Sequence, residues 1–122
     1  MATGKQKHQE YQDAVARLGR DLARRAGSAC ELSGETGGLV AYDLDGPTVE
    51  PDLDHFVLVA PTFARALDGQ ILDPKALRVL EAAVWSDQAP VRRAAVRILE
   101  QLDEPWARDA IDNAAMMDPG PD

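Results

Sequence analysis

Two stretches decide the fold: Arg25-Ala26-Gly27-Ser28-Ala29-Cys30-Glu31-Leu32-Ser33-Gly34 and Phe56-Val57-Leu58-Val59-Ala60-Pro61-Thr62-Phe63. The second is apolar from Phe56 to Ala60 and bounded by His55 and Pro61, which is the pattern of a buried strand. The first ends at Gly34, which with Gly37 and Gly38 brackets Glu35 and Thr36 and implies tight turns. Leu39-Val40-Ala41-Tyr42 then reads as a second short strand. Between the strands, Asp43 to Asp54 is acidic and carries Pro47 and Pro51, so it predicts a long exposed loop joining an antiparallel pair. Two strands alone are marginal in water, so helices must cover this hairpin.

Helices are legible on both sides. Tyr11, Val15, Leu18 and Leu22 recur on one face of a helix over about Lys5–Ala26, and Gly27 stops it. Arg24 and Arg25 suit the negative end of its dipole. After the second strand, Thr62 is read as the cap of a short helix to Leu67. Asp73 caps the next helix with Pro74 at its first position, and its inner face is Leu77, Leu80 and Val84. Ser86 or Asp87 opens another, with the stripe Val91, Ala94, Ala95, Ile98, Leu99 and Leu102. Asp103 caps the last, with Trp106, Ala110, Ile111 and Ala114 inward. The two tryptophans, Trp85 and Trp106, are expected to be largely buried. The fold class is therefore α+β and mostly α: one two-stranded hairpin packed with about five helices. The chain divides as an N-terminal helix (1–26), a hairpin (27–63), a helical extension (64–117) and a frayed tail (118–122), all within one domain.

With 122 residues, 45% apolar and 28% charged, the composition is that of one small globular domain. No apolar run reaches the ~20 residues of a membrane span, and the polar start lacks the core of a secretory signal, so a cytoplasmic location is expected. The single cysteine leaves no intrachain disulfide. Charge is uneven: residues 1–25 hold six basic groups against three acids, whereas residues 26–64 hold seven acids and no Lys or Arg. Such an acidic middle repels phosphate backbones, so nucleic acid is not the expected partner of the whole molecule. A smaller basic patch remains conceivable on Arg17, Arg20 and Arg24 of the first helix, or on Arg92, Arg93 and Arg97 of a later one.

The chemistry-bearing residues are few. Cys30-x-x-Ser33 has the spacing of a zinc knuckle, with a hydroxyl where the second thiolate belongs. Ala60 and Phe63 have the same spacing after the other strand and no ligand atoms. Cys30 is either a reactive thiol near Arg24 and Arg25 or a small packed residue, and packing is the ordinary fate of a free cysteine. A nucleophilic set of Cys30, His55 and Asp54 lacks any glycine-rich oxyanion feature. Asp43-x-Asp45-Gly46 starts like a calcium loop and then fails at Pro47, Pro51 and Asp54. His8 is expected to be solvated. Residues 87–99 look like one unit of a helical repeat without a second copy.

In their order along the chain, these pieces resemble the PhnA-like proteins, which carry an N-terminal zinc ribbon. The resemblance rests on residues 25–34 and on Leu39-Val40-Ala41-Tyr42. It continues in Val84-Trp85-Ser86-Asp87-Gln88-Ala89-Pro90-Val91 and in Glu104-Pro105-Trp106-Ala107-Arg108-Asp109. It implies a degenerate zinc ribbon with a helical extension. Of the four implied ligand positions only Cys30 keeps its thiol, and Ser33, Ala60 and Phe63 replace the others. The implied fold carries over and the zinc does not, so no metal or other cofactor is expected. Phe63 is expected to point inward toward Cys30 or Leu32 and to brace the turns a metal would have tied. The expected function is non-enzymatic, a protein-interaction or accessory module. The alternatives are an accessory factor or enzyme of phosphonate metabolism, which the family name implies, and a weak nucleic-acid binder through the arginine faces.

Overall fold

The computed structural model describes residues 4–46, 52–71 and 73–117, with the backbone alone for residues 4–12, 14 and 15. Among the described residues, five α-helices and a two-stranded antiparallel sheet make an α+β fold that is mostly α. The order is α1 (Gly4–Ala26), β1 (Val40–Asp43), β2 (Phe56–Val59), α2 (Pro61–Leu67), α3 (Leu80–Ala83), α4 (Ala89–Leu99) and α5 (Pro105–Met117). Short 3₁₀ turns at Leu53–His55 and Pro74–Val79 lead into β2 and α3. The strands pair Val40 with Val59, Ala41 with Leu58, Tyr42 with Val57 and Asp43 with Phe56.

One apolar core joins the hairpin to the helices. Leu32, Val57, Val59, Phe63, Leu77, Leu80, Val84, Ile98 and Leu99 all lie within it, each at 3% exposure or less. In β2, Phe56, Val57 and Val59 are buried and Leu58 partly so, because helices cover both faces of the strand. The expected inner faces of the helices hold: Leu77, Leu80 and Val84 are buried, as are Val91, Ala94, Ala95, Ile98 and Leu99. Of the α1 face, Leu22 is fully buried and Leu18 partly; the side chains of His8, Tyr11 and Val15 lie outside what is described, as do Pro47, Pro51 and the 118–122 tail.

Four local expectations need correction. Helix α2 begins at Pro61, with Ala60 as its cap and no side-chain cap bond, so Thr62 is not the cap. Proline fits that first turn because it lacks the N–H that would otherwise go unpaired. The segment after Asp73 is a 3₁₀ turn and then one α-turn, not one helix. Asp73 still caps it, accepting from the Lys75 backbone N–H at 3.0 Å. The helix after Ser86 has Gln88 at its N-cap; Ser86 instead accepts from the Gln88 N–H at 3.1 Å. Finally, Trp85 is 47% exposed. Consecutive residues in a helical turn point about 100° apart, and Val84 takes the inward position with no exposure. Trp106 is only partly buried against the core, with the Arg78 guanidinium 5.2 Å over its ring.

Candidate interaction surface around the Cys30 turn

The turn after α1 is built by two left-handed residues. Gly27 has φ of 65° and Ser28 φ of 57°, the latter in a region side chains seldom adopt. The Ser28 N–H bonds the Ala23 carbonyl at 2.9 Å, which satisfies the helix end as the chain reverses. The following loop closes on itself: Cys30 N–H donates to the Glu35 carbonyl at 2.7 Å, and Gly34 N–H to the Cys30 carbonyl at 2.8 Å. Glu31 then fastens the loop to β2. Its N–H donates to the Leu58 carbonyl at 2.8 Å, and its Oε1 accepts from the Leu58 N–H at 2.9 Å.

An ion pair sits at the base of this turn. Arg25 reaches Glu31 through two bonds, Nε to Oε2 at 2.9 Å and Nη2 to Oε1 at 2.8 Å. Two further donors go to the Leu53 carbonyl at 2.9 Å and the Phe56 carbonyl at 2.8 Å. The two side chains are only 11% and 5% exposed. Forked, charge-assisted bonding with further backbone partners is the geometry in which a buried pair holds its place. Sequence reasoning missed this knot. It placed Arg25 at the end of the helix dipole and near the Cys30 thiol, without a partner in Glu31.

The implied ligand positions do not form a metal centre. Cys30, Ala60 and Phe63 are 3%, 4% and 3% exposed and belong to the apolar core. Ser33 spends its hydroxyl accepting from the Glu35 N–H at 3.3 Å. One thiol, one hydroxyl and two hydrocarbon groups do not make a zinc tetrad, and no group of three His, Cys, Asp or Glu suited to a metal occurs among the described residues. Phe63 does point inward, into the same core as Cys30 and Leu32.

Beside the turn lies an open groove of about 490 Å³ between the Cys30 loop and α3–α4. Small side chains line much of it, among them Ala29, Cys30, Ser33, Ala82 and Ser86, with Val79 and Val91. Val79 is 37% exposed there.

The second polar cluster ties the acidic loop to α4. Asp45 pairs with His55 Nδ1, and its Oδ1 accepts from Arg93 Nη2 at 2.6 Å. Arg93 also donates to the Asp54 carbonyl at 3.1 Å, and Arg97 to the Leu44 carbonyl at 3.1 Å. Arg97 donates to the Tyr42 hydroxyl at 3.2 Å, which itself donates to Asp68. The bond from Asp45, then its charge and those of Asp52 and Asp43, raise the His55 pKa, partly offset by desolvation. The bonds from His55 and Arg93 lower that of Asp45. Burial and the Asp68 bond raise Tyr42. The carboxylates that started like a calcium loop are engaged inside the chain: Asp43 and Asp52 accept from the Asp45 and Asp54 N–H groups. His55 is oriented by Asp45, not Asp54, and is not among the residues lining the groove that Cys30 lines.

The two arginine sets differ. Arg17, Arg20 and Arg24 are exposed on α1, with Arg24 3.9 Å from Asp21. On α4, Arg92 is only 8% exposed and donates to the Ser86 carbonyl at 2.6 Å, while Arg93 and Arg97 hold the loop. Compared with protein-family models, curated proteins and solved structures, the chain has no match.

Proposed function

We propose that this chain is a PhnA-like module that has exchanged its zinc for packing and acts without catalysis, by binding another protein through its surface. The observation that carries the reading is the pairing of a closed centre with an open flank. Three of the four ligand positions are buried in one core, while the groove beside them stays open, with Val79 exposed at its wall. A ribbon held by packing needs no metal to present that surface. Burying Phe63 stabilises by about 1.5–3 kcal/mol, less than a structural zinc, but the core and the Arg25–Glu31 knot add to it.

Metal analysis of purified protein, with melting in the presence and absence of a strong chelator, tests the metal-free half. The expected result is no stoichiometric zinc and an unchanged melt; bound zinc, or a shift of several degrees, overturns it. The exposed Arg17, Arg20 and Arg24 favour one rival, a weak nucleic-acid binder. Binding to duplex DNA or RNA that falls steeply with salt and is lost when all three become Ala would establish that rival instead.

A further inference from the structure

Two Asp–Gly pairs occur in the chain, Asp45-Gly46 and Asp68-Gly69. Glycine has no Cβ to hinder its amide nitrogen from closing on the carboxyl carbon of the preceding aspartate. Closure needs an amide N–H that is not tied elsewhere and a backbone free to rotate. The two pairs differ in both respects. Asp68 caps the C-terminus of α2, and its N–H donates to the Ala64 and Arg65 carbonyls. The Gly69 N–H donates to the Ala66 carbonyl at 3.0 Å, so that nitrogen is fixed in the helix end. Asp45 and Gly46 lie instead beyond β1, with Asp45 exposed. Among the described residues, nothing accepts from the Gly46 N–H. We infer that Asp45-Gly46 is a site of spontaneous isoaspartate formation, that the His55 and Arg93 bonds guard it, and that its modification releases the acidic loop from α4.

The chemistry needs only water. The Gly46 nitrogen bonds to Asp45 Cγ. Its proton and a carboxyl hydroxyl leave together as water, and a succinimide ring is formed. A second water then opens the ring. Where it breaks the bond between the nitrogen and the main-chain carbonyl carbon, the chain afterwards runs through Cβ and Cγ. The former main-chain carbonyl becomes the free carboxylate, and the overall mass is unchanged.

In the intact protein both carboxylate oxygens are held. Oδ2 pairs with His55 Nδ1, and Oδ1 accepts from Arg93 Nη2 at 2.6 Å. These bonds pin the group and favour its ionised form, which loses oxygen less readily than the acid. Isomerisation takes that carboxylate into the backbone as an amide. His55 and Arg93 then lose their shared counter-charge, while the Arg97 bond to the Leu44 carbonyl lies upstream and is untouched.

The test ages the parent protein, Arg93→Ala, His55→Ala and Asp45→Glu side by side at neutral pH. Peptide mapping by electron-transfer fragmentation then distinguishes the two linkages at equal mass. The Arg93 and His55 side chains are 46% and 39% exposed, so both replacements are compatible with the fold, and circular dichroism confirms it. Isoaspartate is expected at residue 45 and not at 68. It should form severalfold faster in either fastening variant and be absent from residue 45 in Asp45→Glu, whose longer side chain closes a larger ring. The isoaspartyl form of the parent, separated by chromatography, should show the His55 ring titrating nearer its ordinary value than the fresh protein does. Isoaspartate as fast at Asp68 as at Asp45, none at Asp45 in the parent and both fastening variants, or equal rates with and without the two partners overturns the inference. An unchanged His55 titration in the isoaspartyl form overturns the release of the loop.

Discussion

Two ion-pair clusters hold this hairpin, and they differ in solvent. At one end, Arg25 and Glu31 meet with side chains 11% and 5% exposed, and every arginine nitrogen has a partner. At the other, Asp45 joins His55 and Arg93 with side chains 33%, 39% and 46% exposed. Both connect the hairpin to a helix, α1 in the first case and α4 in the second. Water decides what each is worth. A buried charge that loses its partner has nothing to replace it, whereas exposed groups are resolvated at once. The first cluster is therefore structural, and the second is an adjustable fastening.

The largest expected effect is at the buried knot. Glu31→Ala leaves the Arg25 guanidinium facing two carbonyls and no counter-charge, and frees the Leu58 N–H of its side-chain partner. The expected loss is about 3–5 kcal/mol, read from urea denaturation. Arg93→Ala in the exposed cluster should cost a small fraction of that. Equal losses would erase the distinction between the two ends.

Phe63→Ala comes next and tests the packing beside the knot. At 3% exposure, Phe63 lies in the core with Cys30 and Leu32. Truncation is expected to cost about 3–5 kcal/mol, the usual range for a buried aromatic, visible as a large drop in Tm. A change of a degree or two would mean that the knot alone holds the turns.

The tryptophans separate by the same criterion of burial. Trp106, partly buried and stacked under Arg78, should lose about 1–3 kcal/mol on replacement by Ala. Trp85, 47% exposed, should change by less than about 0.5 kcal/mol. Acrylamide quenching of the two single-tryptophan variants checks the assignment independently, with the protein that retains Trp85 the more strongly quenched.

The contrast also explains what was legible in the sequence. Apolar periodicity identifies elements, and it did so for the hairpin and for the inner faces from Leu77 to Ala114. It fails where adjacent large side chains compete for one inward position, as Val84 and Trp85 do. It fails again for Pro74–Val79, where the tighter 3₁₀ turn keeps Leu77 inward and so leaves the same apolar mark as an α-helix. The Arg25–Glu31 knot left a faint trace, opposite charges six residues apart across Gly27-Ser28. Only the left-handed pair at those positions turns the chain so that the two side chains meet. The arginines of α4 look like a solvated face in sequence, yet Arg92 lays its stem along the core, and Arg93 and Arg97 meet carbonyls more than 35 residues away. Contacts of that span have no local pattern to betray them.

The smallest effect concerns pH at the exposed fastening. His55 is raised by Asp45, so its contribution is fully present below the unfolded histidine value, about 6.5, and is lost as pH climbs through the higher folded value. Asp45 is lowered by His55 and Arg93, so its contribution is present above the ordinary carboxylate value, near about 4, and is lost as pH falls through the folded value. The fastening is thus tightest between those limits and loosens on either side. An NMR titration of the His55 ring should show the raised value, moving toward normal in Asp45→Asn because the largest cause is gone. Asp52 and Asp43 leave a small residue of the shift. Added salt should reduce it too, since these groups are open to solvent. Arg93→Gln should leave His55 raised and let Asp45 rise, which distinguishes a direct carboxylate–imidazole pair from a general effect of the acidic loop. An unshifted His55 in the parent protein would mean that Asp45 belongs to Arg93 alone.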